Sequence, residues 1–184
     1  MVRVDRSRGK RLTMNVTPSS VLACLPPYRD EWVLIKKDQF VPDIIQEIGT
    51  AHRLYGKHYD MFSYLFYTRD PERLANTLYQ FCKDNIQYRE ESKEFQTSAL
   101  PSGIIERGYG DCKHYALITA GVIGSLNRLY NCCYEAYFYF AAYRKDVDEP
   151  YHVYVSLIDG NTEIWIDPTP GSGGTPTLLK KKPV

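Results

Sequence analysis

The chain has 184 residues, 43% hydrophobic and 14% aromatic with sixteen tyrosines, and a formal net charge of +1. That length and apolar content support one folded domain with a sizeable core and exclude global disorder. The near-neutral balance gives no reason to expect a nucleic-acid or membrane surface spread over the whole molecule, and no apolar run suits a signal peptide or a membrane span. Five cysteines (Cys24, Cys82, Cys112, Cys132 and Cys133), an odd count without a secretion signal, predict reduced thiols in a cytoplasmic setting.

Residues 1–20 carry Arg3, Arg6, Arg8, Lys10 and Arg11 against Asp5 and read as a flexible basic arm, a segment that would suit an acidic partner or nucleic acid. The folded domain is expected over residues 21–170. Pro26-Pro27 breaks the next segment, and Trp32-Val33-Leu34-Ile35 reads as either a short strand or an apolar anchor. Pro42 opens a helical pattern in which Ile44, Ile48, Ala51 and Tyr55 share a face, ending near Gly56. Asp70-Pro71 is an N-cap followed by a first-turn proline, and Leu74, Leu78 and Phe81 extend that helix to about Asn85. His52 and His58 lack a partner at ligand spacing and read as ordinary histidines. Residues 86–88 look extended, and 89–107, without periodicity, form a long connection of the kind that carries function inside a compact domain.

That connection leads into Gly108-Tyr109-Gly110-Asp111-Cys112-Lys113-His114. The glycines permit a tight turn, Asp111 is a good N-cap, and Tyr115, Ile118, Val122, Leu126 and Leu129 predict a helix with one buried stripe. Cys112 would open that helix, where unpaired N–H groups and the positive end of the dipole favour thiolate over thiol. A cysteine there is a candidate nucleophile, although most isolated cysteines are simply small buried hydrophobes. Beyond the helix, residues 134–143, 151–158 and 163–167 read as strands, and 171–184 as a flexible tail. Helices first and antiparallel strands last make an α+β order.

Asp159-Gly160 is a favoured two-residue hairpin turn. With those two residues as the loop, Ile158 pairs with Asn161, and His152 falls directly opposite Asp167 on the same face. A Gly160-Asn161 turn would keep the face and make the pair diagonal, whereas a three-residue turn would separate them. A carboxylate against one imidazole nitrogen leaves the other nitrogen for a thiol. Nucleophile, base and orienter are the three parts that cysteine acyl chemistry requires.

With Gly110-Asp111-Cys112, His152-Val153 and Ile166-Asp167-Pro168 in this order, and Trp165 and Thr169 beside them, the chain resembles the transglutaminase-like superfamily over roughly residues 70–170. Its short length and Gly-Asp-Cys-Lys turn are reminiscent of stand-alone bacterial or phage-borne members. Residues 1–60 match no named pattern, and the calcium-site and β-sandwich parts of animal transglutaminases have no room here. The resemblance implies a papain-like core, with the nucleophile-bearing helix packed on a C-terminal antiparallel sheet. It also implies a Cys112–His152–Asp167 triad acting on amide bonds of a protein or peptide through a thioester, without a cofactor. The family includes cross-linkers, deamidases, peptidases and peptide:N-glycanases, so water or a lysine-type amine would resolve the thioester. The Cys112 N–H would bind the oxyanion together with a second donor. Gln96 is the candidate by analogy with the upstream glutamine of papain-like enzymes, and Tyr109 is an alternative edge of the cleft. The family also has catalytically dead members, so a binding or structural module on the same fold is the alternative reading. A metal site built from Cys112, His114 and Cys132-Cys133 lacks a matching second half and is set aside.

Overall fold

The computed structural model describes residues 2–3, 16–27, 32–35, 41–92, 94, 96–143, 149–171 and 176–184. Its elements begin with β1 (Val2–Arg3), α1 (Pro18–Leu22), β2 (Trp32–Ile35), α2 (Val41–Leu54), α3 (Gly56–Asp60) and a 3-10 turn at Ser63–Phe66. They continue through α4 (Pro71–Asn85), β3 (Gln87–Tyr88), β4 (Gln96–Ala99), α5 (Pro101–Arg107), β5 (Tyr109–Gly110) and α6 (Cys112–Tyr130). The C-terminal part holds β6 (Glu135–Ala142), β7 (His152–Asp159), β8 (Thr162–Ile166) and β9 (Thr177–Pro183). The order is α+β. Among the described residues no helix is long and apolar enough to cross a membrane.

Local chemistry sets the helix starts. The Asp70 carboxylate accepts from Arg73 N at 3.0 Å with Pro71 in the first turn. Asp111 caps α6 by accepting from Lys113 N at 3.0 Å, and Asn131 closes the helix in the left-handed conformation. The main sheet runs β1-β8-β7-β6-β9, with β1 parallel to β8 and the other pairs antiparallel. One face of it, with Phe138, Phe140, Val153, Val155, Leu157, Ile164 and Ile166, shares a core with the helices. The other face carries Tyr139, Tyr154 and Trp165, whose neighbouring ring centroids lie 5.3 Å apart.

The predicted single stripe on α6 is too narrow. Lys113 to Ile123 are all buried, because α6 lies between β7 on one side and α2, α3 and α4 on the others. A helix enclosed in this way buries residues on every side, and its period carries little directional information. Leu129, expected in the stripe, is instead 51% exposed at the end that protrudes from these neighbours. Gly121 is the point of closest approach. A Cβ there would fall 2.4 Å from Tyr59, whose ring is fully buried, so only a residue without a side chain lets α3 close onto α6.

Four other expectations change. Residues 89–107 are not an unstructured connection: β4 pairs antiparallel with β2, which settles Trp32–Ile35 as a strand, and α5 follows. At two turns α5 is too short for periodicity, although Pro101 at its start and Gly108 with φ +68 at its end are its sequence marks. Residues 171–184 are not a tail throughout, because Thr177–Pro183 forms β9 on β6. On that strand Lys181 Nζ sits 3.8 Å from the Tyr137 ring centroid. In residues 1–20, Val2–Arg3 pairs with β8 and Pro18–Leu22 is helical, while Asp5, Arg6, Arg8, Lys10 and Arg11 of the expected arm lie outside the described residues.

The fourth change is the hairpin register. Ile158 pairs with Glu163 and Asp159 with Thr162, so the turn is Gly160-Asn161. A type I′ turn over Asp159-Gly160 would have required a positive φ at Asp159 as well as at Gly160. Sliding by one residue leaves only Gly160 in the left-handed region, at φ +56, the conformation a glycine at the first position of a II′ turn supplies without strain. The slip moves each strand by one, so the face of His152 and Asp167 is kept and their relation becomes diagonal.

Candidate active site

His152 is the first residue of β7, and Asp167 directly follows β8. Across the diagonal, His152 Nε2 lies 2.9 Å from Asp167 Oδ2. Two further donors hold that carboxylate: the Tyr143 hydroxyl at 2.8 Å from Oδ2, and the Thr169 backbone N–H at 3.2 Å from Oδ1. Burial alone would push Asp167 up. The His152 hydrogen bond and charge, with those from Tyr143 and Thr169, hold it below the ordinary carboxylate value.

Burial also pulls His152 toward the neutral ring, but the Asp167 hydrogen bond and then that of Cys112 outweigh it. They push the imidazole up to about 10. With Nε2 committed to Asp167, Nδ1 is the nitrogen left for the Cys112 thiol. Cys112, half-buried at the first position of α6, is the second group that favours the charged ring. Of the three residues expected from the sequence, His152 and Asp167 are in contact, and Cys112 stands at the start of α6.

A second set of charges lies at the start of α6, beside Cys112. Lys113, 3% exposed, bonds Glu91 Oε2 at 3.0 Å and also bonds the Asp111 carboxylate. Glu91 in turn accepts from Thr97 N at 2.6 Å and from the Thr97 hydroxyl. This network ties Glu91 and Thr97 to the start of α6. His114, wholly buried, places Nδ1 2.9 Å from Asp111 Oδ1, while Asp111 N lies 3.2 Å from the same nitrogen. One nitrogen cannot donate and accept at once. Nε2 has no hydrogen-bond partner, and a bare lone pair there is cheaper than an orphaned N–H, so Nδ1–H donates to the carboxylate.

Gln96 and Tyr109 stand elsewhere than the sequence reading put them. The Gln96 amide donates to Ser92 O at 2.9 Å and Glu91 O at 3.4 Å, so both of its N–H groups close their own loop. Tyr109 pairs with Gln87 and Tyr88 with Gly110 in the β3–β5 ribbon, which puts Tyr109 and Tyr88 on opposite faces. On the Tyr109 face the Arg89 and Arg107 guanidinium carbons lie 5.0 and 4.6 Å from its ring centroid, beside a cavity of about 420 Å³ that Gly110 also lines. Tyr109 does form an edge, but of this flanking cavity. Cys132 and Cys133 follow the far end of the 19-residue α6, about 1.5 Å per residue away from Cys112.

Tyr143, Glu91 and Lys113 carry roles that the sequence reading did not assign. Tyr143 is one aromatic among many in a strand-like run and bears no local mark. Lys113, a cation in the buried first turn of α6, is the local mark of that network. No protein-family model, no curated protein and no solved structure matches this chain.

Proposed function

We propose that this protein is a cysteine-dependent acyl-transfer enzyme of the transglutaminase-like type, with a papain-like core, acting on amide bonds of a protein or peptide. The observation that carries this reading is the imidazole of His152, which lies 2.9 Å from Asp167 through Nε2 and is favoured in its charged form by Asp167 and by Cys112. A charged ring beside a thiol at a helix start supports the thiolate, the species that attacks a carbonyl.

In this mechanism Cys112 Sγ adds to the carbonyl carbon, and the carbonyl π pair moves onto oxygen. The imidazolium of His152 protonates the leaving amine as the C–N bond breaks, which leaves a thioester and a neutral ring. His152 then takes a proton from water or an incoming amine, whose addition and collapse release Cys112. Asp167, itself fixed by Tyr143 and Thr169, orients the ring and stabilises its charge through both steps. Burial of His152 and Asp167 keeps bulk water from competing for that hydrogen bond.

Trapping the acyl-enzyme tests the reading. Wild-type protein mixed with p-nitrophenyl acetate should release one burst equivalent of nitrophenolate and carry the acetyl group on the Cys112 peptide. Cys112→Ala should show neither. Acetylation spread over Cys24, Cys132 and Cys133, with no preference for Cys112, would count against catalysis and favour a binding module on the same fold.

A further inference from the structure

The proposed chemistry needs a second donor for the tetrahedral oxyanion, and Gln96 is spent on its own loop. Other polar groups at this end of α6 are likewise committed. The Tyr115 hydroxyl donates to Ile86 O at 2.7 Å, the Tyr143 hydroxyl to Asp167, and His114 to Asp111. Tyr109 is on the far face of the ribbon.

Tyr88 is on the near face. Its Cα partner is Gly110, two residues before the nucleophile, and Arg89 N bonds Gly110 O at 2.8 Å, which locks the ribbon at that point. Its ring packs 6.0 Å from that of Tyr115, one helical turn from Cys112 on the same side of α6. Because Tyr115 is pinned to Ile86, this platform is fixed. Tyr88 and Cys112 both border the main core and both remain half-buried. Burial raises the Tyr88 phenol, and the neighbouring Cys112 and Asp111 raise it further, so it keeps its proton and stays a donor.

Resting on the acyl-transfer reading, we infer that the Tyr88 hydroxyl is the second oxyanion donor, paired with the backbone N–H of Cys112. As the Sγ–C bond forms and the carbonyl pair moves onto oxygen, Tyr88 O–H and Cys112 N–H donate to that oxygen. When the tetrahedral species collapses, the pair returns to the carbonyl, the leaving group departs, and both donors keep their protons. The amide of Cys112 suits this role because the first N–H groups of a helix have no partner within it.

The test uses two reagents on the same thiol. Acylation by p-nitrophenyl acetate passes through an oxyanion, whereas alkylation by iodoacetamide displaces iodide with no charge building on oxygen. Tyr88→Phe removes one hydroxyl and keeps the ring. It should slow Cys112 acylation on the order of 10²-fold and leave Cys112 alkylation at the wild-type rate. Unchanged acylation in Tyr88→Phe overturns the assignment, and so does an equal fall in both rates, which would mean that the ring merely holds the site together. Failure of the underlying reading has a separate signature: wild-type Cys112 would then be neither acylated nor alkylated ahead of the other cysteines.

Discussion

Two histidine–aspartate pairs flank Cys112, and each has a nitrogen 2.9 Å from a carboxylate oxygen. Their rings are driven in opposite directions. His152 is pushed up to about 10 and His114 is pulled down. Burial opposes charge in both. At His114 it is complete, and the nearby cations Lys113 and Arg107 reinforce it, so Asp111 divides its charge between a lysine and a neutral ring. At His152 burial is less complete, the Asp167 carboxylate is held by the Tyr143 hydroxyl and the Thr169 N–H, and Cys112 adds a second group that favours the cation. A short contact to a carboxylate therefore does not make a histidine a base. What else touches the carboxylate decides it: Asp111 is shared with Lys113 at the helix start, whereas Asp167 is held by Tyr143 and Thr169.

The largest effect that would sharpen this contrast is on chemistry. Asp167→Asn should cut Cys112 acylation by p-nitrophenyl acetate by roughly 10²–10⁴-fold, since the amide no longer stabilises the imidazolium. A fall of less than tenfold would put Asp167 on a par with a structural partner. The corresponding change in the other pair, Asp111→Asn, should act on stability. It leaves Lys113 buried with only Glu91, at a cost of about 3–5 kcal/mol in urea unfolding, and Lys113→Met in the same chain should restore part of it. No recovery in the double variant would mean that the loss came from the helix cap alone.

Smaller still is His114→Gln, expected to lower stability by about 1–2 kcal/mol through the lost bond to Asp111. A change in pH dependence is the finest discriminator. The folded value of His152 lies above its ordinary 6.5, so folding tightens proton binding there. Its contribution is complete below pH 6.5 and is lost as pH rises through about 10. The stability difference between wild type and His152→Gln, followed by thermal unfolding across that window, should therefore shrink toward high pH. A difference that stays flat would show that the ring is not held as a cation.

The sequence displayed the parts of this site more readily than their supports. Asp111 before Cys112 and Asp70 before Pro71 mark helix starts by chemistry that acts within one turn, so both helices begin where the residues say. Period-two alternation placed His152 and Asp167 on one face, and that survived an incorrect turn because a symmetric slip of both strands preserves parity. The register itself hung on which residue bears a positive φ, a choice between two glycine-containing dipeptides that the sequence leaves close in energy. Contacts made across distance were not legible. Lys113 reaches Glu91 twenty-two positions away, Tyr143 reaches Asp167 twenty-four away, and β9 adds to a sheet edge created by β6. No local pattern encodes such partners. Gln96 was misassigned for the same reason: its amide is used on the adjacent loop, where Glu91 and Ser92 present carbonyls.

The difference between the two rings can be read from one thiol. Iodoacetamide alkylation of each cysteine, followed by peptide mass spectrometry at about pH 6, below the ordinary thiol range, would be compared in wild type, His152→Gln and His114→Gln. The account predicts that Cys112 reacts ahead of Cys24 and Cys133 in wild type, keeps that lead in His114→Gln and loses it in His152→Gln. Equal rates for all three cysteines in wild type, or a lead that survives His152→Gln, would contradict it.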